Sequence, residues 1–373
     1  MYEKPTFIQN TPQLSNACEQ WAGVDAIALD TEFERTRTYY SRPALVQVFD
    51  GERTSLIDPL TIDDFAPLAE LLQSSSVTKV MHASEGDNEV LEQLTGVIPR
   101  PIFDTQMAAA FAGHGYSLGY RKLTQLLLGE ELSKDETRSD WLRRPLSEAQ
   151  ISYAALDVLH LLPIYRQLRR DLTELGRDGW LEEEIARMLD RRAADRDPRR
   201  AYLRIRQTRR LAAAGLSTLR ELAAWRETEA RDRDVPRQMI TKDTSLVAIA
   251  ETSPTNAEEL AEIPELSTNA IGRYARPLLS AIEQAHGDDT PTQASPSVER
   301  EHGPWLKALK ELVRQKAEFL NIPAPLLAQA RTLESLVVAS AAGKHDIPPE
   351  LQGWRETVIG TALMAELHRL AHT

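Results

Sequence analysis

The chain has 373 residues, enough for two or three domains at about 100–200 residues each. Its hydrophobic content of 42% and charged content of 27% are ordinary for a globular protein, and no stretch approaches the roughly 18 apolar residues of a membrane span. The net charge of −12, taken over the whole chain, argues against a nucleic-acid partner, and the single cysteine, Cys18, excludes an intrachain disulfide.

The first half of the chain alternates strand-like and helix-like segments after a start, MYEKPTFIQN, that has no apolar core of signal-peptide length. The residue spacing predicts a strand at Ala26–Phe33, a hairpin of Leu45–Asp50 and Thr54–Asp58, a helix at Asp64–Gln73, a strand at Thr78–Ala83, a helix at Asp87–Leu94, a strand at Ile102–Asp104 and a long helix at Ser147–Leu172. The long helix begins at a capping box. We therefore expect a cytoplasmic protein with a mixed α/β sheet and helices on both of its faces.

Beyond about Arg196 the sequence shows no convincing strand, and prolines separate helix-like segments. The stretch Gly287–Ser297 is small, polar and proline-containing, which is typical of a linker. A last helical block follows it. The sequence thus predicts an α/β domain over 1–195, a helical domain over 196–286, a linker over 287–300 and a second helical domain over 301–373.

The middle of the chain is locally basic although the whole is acidic. Between Arg196 and Arg237 there are twelve arginines and six acids. Such a run is typical either of a nucleic-acid contact or of a solvated helical surface.

Two acids stand at the end of the first predicted strand. Asp30 and Glu32 are two residues apart, so strand alternation places them on the same face. Neighbouring carboxylates repel and raise each other's pKa, and a divalent cation between them removes that penalty. Taken alone, the same pair also fits a solvated strand end.

Three more residues extend this pattern. Asp87 enters a helix after the Thr78–Ala83 strand, and Tyr153 and Asp157 lie one turn apart on the long helix. Each has a plain structural alternative, a helix cap for Asp87 and an exposed helix face for the other two. His82 is expected to be a structural hydrogen-bonding residue.

Four segments make the combination specific: ALDTEF (Ala28–Phe33), MHASEGDNEVL (Met81–Leu91), FDTQMAA (Phe103–Ala109) and SDWLRRPLSEAQISYAALDVLHLLP (Ser139–Pro163). With them, about residues 5–190 resemble the tyrosine branch of the DEDD exonucleases and, within it, the ribonuclease D family. Residues Ile240–Ser267 and Ala270–Ile282 resemble the helicase-and-RNase-D C-terminal (HRDC) domain. The resemblance implies a ribonuclease H-like exonuclease domain followed by two all-α HRDC-like domains, the second of them diverged.

The resemblance also implies a chemistry, in which a 3′→5′ exoribonuclease releases nucleoside 5′-monophosphates from RNA 3′ ends, tRNA precursors among them. Two divalent ions, Mg²⁺ or Mn²⁺, would be held by Asp30, Glu32, Asp87 and Asp157. Asp30 would bridge them, Glu32 and Asp157 would help hold the ion of the attacking water, and Asp87 would support the other ion. Tyr153 would orient that water, because a phenol with a reference pKa of about 10 is mostly protonated at neutral pH. The SEGD segment, Ser84–Asp87, is a departure from the family pattern. It keeps the acid at position 87 and places a second acid, Glu85, two residues before it.

Other residues are candidates for RNA contact. Phe33 and Trp141 offer aromatic faces for a terminal base, although each also fits core packing. Four arginines of the basic run offer phosphate contacts: Arg204, Arg206, Arg209 and Arg210. We expect a monomer with no small-molecule cofactor and no membrane partner.

Two alternative functions remain open at this stage. A DNA exonuclease would use the same catalytic residues, but such domains are commonly attached to a polymerase or a helicase. A non-catalytic RNA-binding protein with a decayed exonuclease fold would be expected to have lost some of the acids, and all four are present with the tyrosine.

Overall fold

The structure is a computed structural model that describes residues 4–132, 139–206, 208, 211–285 and 298–372. The chain divides into two compact units. Unit 1 consists of Met1–Arg35, Ser41–Met188 and Asn321–Pro323, and unit 2 consists of Thr36–Tyr40, Leu189–Leu320 and Ala324–Thr373. The domain limits drawn from the sequence remain predictions, and most of the predicted linker 287–300 lies outside the described residues.

Unit 1 contains a six-stranded mixed sheet. Its strands are β1 (Thr6–Ile8), β2 (Ala26–Glu34), β3 (Arg42–Phe49), β4 (Thr54–Ile57), β5 (Thr78–Met81) and β6 (Ile102–Asp104). The spatial order is β1-β4-β3-β2-β5-β6. The β2–β3–β4 meander is antiparallel, whereas β1 pairs with β4, β5 with β2, and β6 with β5 in parallel. The longest strand, β2, therefore lies in the interior of the sheet.

Several helices of unit 1 pack on this sheet. The helices of this unit are α1 (Thr11–Trp21), α2 (Ala66–Gln73), α3 (Glu85–Thr95), α4 (Thr105–Phe111), α5 (Tyr120–Leu128), α6 (Glu148–Leu159) and α7 (Leu161–Leu175), and α8 (Asp178–Ala194) begins in unit 1 and ends in unit 2. Helix α6 packs on β2, β3 and β4, while α3 packs on β2 and β3. Both helices thus contact the strand that carries the first two acids.

The predicted elements of the first half are confirmed, with one exception. The capping box at Ser147 and Gln150 is present, with each side chain bonded to the other's backbone N–H. The single helix predicted over Ser147–Leu172 was wrong, because the structure divides it at His160 into α6 and α7. Pro163 lacks the N–H that would bond to residue 159, so helical spacing alone could not carry the helix through this point.

Unit 2 is helical, and no strand is assigned to its described residues. Its helices after α8 are α9 (Ala213–Asp232), α10 (Arg237–Ile240), α11 (Asp243–Thr252), α12 (Ala257–Ala261), α13 (Thr268–Gln284), α14 (Gly303–Leu320), α15 (Ala324–Leu327), α16 (Ala330–Ala341) and α17 (Thr361–Ala371). An apolar core joins α9, α11 and α13, with Leu219, Leu246 and Leu278 fully buried. Within the described parts of the chain, no helix is long and apolar enough to cross a membrane.

Several arginines of the basic run neutralise acids inside unit 2. Glu227 is buried and accepts hydrogen bonds from Arg231 at 2.9 Å and from Arg237 at 2.8 Å. Arg226, also buried, bonds to Asp243 at 2.7 Å. Part of the basic run therefore stabilises the helical fold.

Candidate active site

Strand β2 presents the first two acids. Asp30 and Glu32 are separated by Thr31 and are paired with Gln47 and Leu45 of β3. The pairing register shifts between Glu32 and Phe33, which marks an irregularity directly after the acids. Such bulges bend a strand and redirect side chains, and they are frequent beside active sites.

Helix α6 brings the second pair of residues to β2. Its buried residues Ala154 and Val158 pack inward, and Tyr153 and Asp157 precede them by one position each. One carboxylate oxygen each of Asp30, Glu32 and Asp157 lies within 4.8 Å of the other two. We call these three residues the carboxylate trio. An acid of α6 and two acids of β2, distant in the sequence, thus share one pocket.

Asp87 stands in the first turn of α3 beside the trio. It is buried, and it accepts a hydrogen bond of 2.6 Å from the Thr31 hydroxyl. The neighbouring acid Glu85 is exposed. The geometry therefore favours Asp87 over Glu85 as the third carboxylate position predicted from the sequence.

The carboxylates raise one another's pKa. Burial, followed by the charges of Asp87, Asp157 and Glu32, raises the pKa of Asp30 well above its ordinary value. Burial, followed by the charges of Asp157 and Asp87, raises the pKa of Glu32 to about 8. Burial raises the pKa of Asp157 to about 7, although Tyr153 and Arg121 oppose the rise. The pocket brings several carboxylates together, and a bound cation would relieve their mutual repulsion.

Tyr153 borders this pocket. Its phenol lies close enough to Asp157 to lower the pKa of that carboxyl, and burial, followed by the charge of Asp157, raises the pKa of the phenol. The ring lies 6.0 Å from that of Trp141, centroid to centroid. The Trp141 loop is fixed in turn by Arg144, which donates two hydrogen bonds of 2.7 Å to the buried Asp58.

The RNA-contact candidates lie in different settings. Phe33 is half-buried with its ring over Gly86, next to Asp87, whereas Trp141 is only 6% exposed and belongs to a core cluster. Arg204 is exposed and forms an ion pair of 2.9 Å with Asp195, and Arg206 is exposed. Arg209 and Arg210 lie outside the described residues.

Several residues near the pocket escaped the sequence argument. Thr31, between Asp30 and Glu32, bonds to Asp87, and its position between two acids is the signal that could have found it. Gln47 faces Asp30 across the strand pair and is fully buried, and its amide has no hydrogen-bond partner among the described residues. Tyr120 and Arg121 come from α5, far from every motif, and no local pattern marks them. His82 is the structural residue that was predicted, since its ring nitrogens contact Thr105 Oγ1 at 2.9 Å and the Leu118 carbonyl at 3.0 Å.

Comparison with known proteins decides the family. Residues 5–173 match the 3′-5′ exonuclease family model, and residues 216–282 match the HRDC domain. The chain is 39% identical to ribonuclease D of Pseudomonas paraeruginosa over 365 residues, covering 97% of each protein. The chain belongs to the ribonuclease D family. It is also 36% identical to ribonuclease D of Escherichia coli over 359 residues, covering 94% of this chain and 95% of that one.

A solved structure agrees with this assignment. The crystal structure of Escherichia coli RNase D, described as an exoribonuclease involved in structured RNA processing, superposes with a TM-score of 0.87 at 34% identity. The match covers 98% of this chain and 99% of that one. The predicted fold class and enzyme class are therefore confirmed: this member of the family is a 3′→5′ exoribonuclease that hydrolyses phosphodiester bonds. A family of this kind implies divalent metal ions, and the donor set of the carboxylate trio fits them.

Proposed function

We propose that this enzyme works with two divalent cations, Mg²⁺ or Mn²⁺, held by the carboxylate trio and Asp87. The observation that carries the proposal is the convergence of the trio's oxygens within 4.8 Å. Carboxylate oxygens are hard ligands that suit both metals. All three other acids raise the pKa of Asp30, so it lies close to each of them and would help to hold both ions. Glu32 and Asp157 would serve one ion and Asp87 the other.

The proposed reaction is hydrolysis of the last phosphodiester of an RNA. Water attacks the phosphorus, the bond to the 3′ oxygen of the preceding nucleotide breaks, and a nucleoside 5′-monophosphate leaves. When bound, the cations would make the attacking water more acidic and neutralise charge on the phosphate.

Tyr153 is proposed to orient the attacking water by a hydrogen bond. The raised pKa of its phenol keeps the proton on the oxygen at neutral pH, so a phenolate base is disfavoured. The contact with Trp141 holds the Tyr153 ring, whose hydroxyl lies beside Asp157. In this role Trp141 supports Tyr153 from the core, and its low exposure disfavours stacking on RNA.

Phe33 and Arg121 are proposed to contact the RNA end. Phe33 is half-buried beside Gly86 and offers a ring for the terminal base. Arg121 lies near enough to Asp157 to lower the pKa of that carboxyl, so its guanidinium is placed to bind a phosphate near the scissile bond. Arg204 and Arg206 remain proposed contacts to the RNA backbone from unit 2, although Arg204 also pairs with Asp195.

The proposal also covers the substrates, the cellular location and the oligomeric state. We infer that the substrates are small structured RNAs with 3′ extensions, tRNA precursors in particular, and that the enzyme acts as a cytoplasmic monomer. The involvement of the Escherichia coli enzyme in structured RNA processing supports this substrate class. Residues 301–373 are proposed as a second, diverged HRDC-like domain.

Digestion of a tRNA with a short 3′ tail tests the proposal. With Mg²⁺ or Mn²⁺, the wild-type enzyme should release nucleoside 5′-monophosphates, Asp30→Asn should release almost none, and Glu85→Gln should match the wild type, since Glu85 is exposed. The same tail made of DNA measures the preference for RNA. Equal activity of Asp30→Asn and wild type would remove Asp30 from the site.

A further inference from the structure

The hydroxyl of Tyr120 lies at the break between α6 and α7. It donates a hydrogen bond of 2.9 Å to the carbonyl of Leu156 and accepts one of 3.2 Å from the N–H of His160. In a continuous α-helix these two backbone groups would bond directly to each other, because they are four residues apart. The hydroxyl of a side chain from α5 therefore replaces one backbone hydrogen bond at the end of α6.

Pro163 explains why the backbone hydrogen bonds are interrupted here, but not why the Tyr120 hydroxyl bonds to the two backbone groups. A proline cannot donate to the carbonyl four residues earlier, and its ring pushes that carbonyl away, so the helix is weakened around Leu159. The Leu156 carbonyl and the His160 N–H do not bond to each other here: the Tyr120 hydroxyl bonds to both, and the His160 N–H also contacts the Val158 carbonyl. Insertion of a side chain between such groups is a recognised cause of helix kinks.

The site of insertion brackets Asp157. Leu156 and His160, the two residues that bond to Tyr120, lie immediately before it and three residues after it. The peptide unit that contains the Leu156 carbonyl also contains the N–H of Asp157. The direction in which the Asp157 side chain leaves the helix thus depends on the bond to Tyr120.

Tyr120 is itself held in place. Its ring packs against that of His82 with centroids 5.8 Å apart, and both ring nitrogens of His82 have partners, Thr105 and Leu118. The hydroxyl belongs to a side chain fixed at its ring and at its tip. A continuous set of contacts runs from the end of β5 through His82 and Tyr120 to the helix segment that carries Asp157.

We propose that Tyr120 is a positioning residue that sets the backbone of α6 so that Asp157 reaches the carboxylate trio. The inference rests on the proposed function, in which Asp157 is a metal ligand. Tyr120 acts through Asp157 and does not contact the reacting atoms. Outer partners that orient a metal ligand commonly affect metal affinity by about 10–100-fold when they are removed.

The test is Tyr120→Phe, which keeps the ring and removes the hydroxyl. Mn²⁺ binding is measured by calorimetry without RNA, kcat and KM are measured on tailed tRNA, and thermal stability and hydrogen exchange of the His160 amide are followed. We expect Mn²⁺ affinity to fall by about tenfold or more, kcat to fall with it, KM for RNA to stay within about twofold, and the His160 amide to change its exchange rate. The matched control is Tyr165→Phe. The hydroxyl of Tyr165 accepts a 3.2 Å bond from Arg169 of the same helix, and its ring packs on Phe103.

The possible outcomes distinguish the positioning role of Tyr120 from the proposed metal-ligand role of Asp157. A purely structural role would lower the melting temperature and leave Mn²⁺ affinity unchanged, and that result would overturn the inference, as would equal losses in Tyr165→Phe. Asp157→Asn is the companion variant. If it binds Mn²⁺ and cuts RNA like the wild type, the proposed site fails. If it is inactive while Tyr120→Phe behaves like the wild type in every measurement, only the positioning role fails.

Discussion

The hydroxyl of Thr31 donates a hydrogen bond of 2.6 Å to the buried carboxylate of Asp87. Thr31 lies between Asp30 and Glu32, so the strand that supplies two of the acids also holds a third one in place. Burial raises the pKa of Asp87 to about 6, and the hydrogen bond from Thr31 opposes that rise. By lowering the pKa of Asp87, the bond favours its ionised form at neutral pH, the state in which it can support a cation.

Replacing Thr31 tests this relationship. Thr31→Val removes the donor at nearly constant shape, so the pKa of Asp87 should rise further and the acid limb of the pH–rate profile should move to higher pH. Thr31→Ser keeps a hydroxyl and should keep the wild-type profile. The measurement is kcat/KM against pH at saturating Mg²⁺, and superimposable profiles for valine and wild type would contradict the assignment.

The metal-free enzyme should become less stable as the pH rises from about 5 to about 8. Burial raises the pKa of Glu32 to about 8 and that of Asp157 to about 7, so in this window the folded state holds protons that the unfolded chain has lost. This contribution to the free energy of unfolding is fully present below the ordinary pKa range of carboxyl groups. It is lost as the pH rises through the raised pKa values of Glu32 and Asp157. Melting temperatures in the presence of a chelator measure it.

Two comparisons isolate that effect from other titrations. Glu32→Gln carries no titrating group at its position, so its stability in chelator should fall less steeply with pH than that of the wild type. Mn²⁺ should stabilise the wild type most at the upper end of the window, where the carboxylates are ionised. Identical slopes for the variant and the wild type would contradict the raised pKa of Glu32.

Arg144 should matter for stability as well as for catalysis. Arg144→Ala leaves the carboxylate of Asp58, only 2% exposed, without its two hydrogen bonds. We expect a loss of about 3 kcal/mol in the free energy of unfolding, the low end for a broken buried pair, because Arg144 itself is 26% exposed. Urea unfolding measures it. Arg143→Ala changes an exposed neighbour and should stay within about 0.5 kcal/mol of wild type.

Tyr153→Phe should slow the reaction much more than it weakens metal binding. The variant keeps the ring against Trp141 and removes only the hydroxyl that is proposed to orient water. We expect kcat to fall by about 10²-fold, the low end for a group that handles a proton at the reacting water. Calorimetry with Mn²⁺ and single-turnover cleavage provide the two readouts. Full activity of the variant would show that the phenol has no part in the reaction.

Arg121 should act on the substrate and not on the fold. Arg121→Ala is expected to weaken RNA binding and to reduce the slope of log affinity against log salt by about one phosphate contact. Lys122→Ala, an exposed neighbour on the same helix, is the control. Binding is measured by fluorescence anisotropy at several salt concentrations on an Asp30→Asn background that does not cut. An unchanged salt slope in Arg121→Ala would argue against a phosphate contact.

The sequence by itself determined which side chains share a face. The spacing of two between Asp30 and Glu32 and of four between Tyr153 and Asp157 follows strand and helix periodicity, which is local and visible in one dimension. The same periodicity located β2 to β6 of unit 1, whereas the three-residue strand β1 was not predicted. Together with the resemblance of the surrounding segments, it was enough to predict an exonuclease of this family.

Only the tertiary structure decided how those faces meet. The helix predicted to run through His160 divides there, beside Pro163, and the Tyr120 hydroxyl that fills the gap comes from a separate helix far back in the chain. The burial of Trp141 against Tyr153 and the bond from Thr31 to Asp87 are likewise contacts between separate segments. Periodicity reports the face of an element but not its neighbour, because which segments pack together depends on the shape and burial of the whole fold.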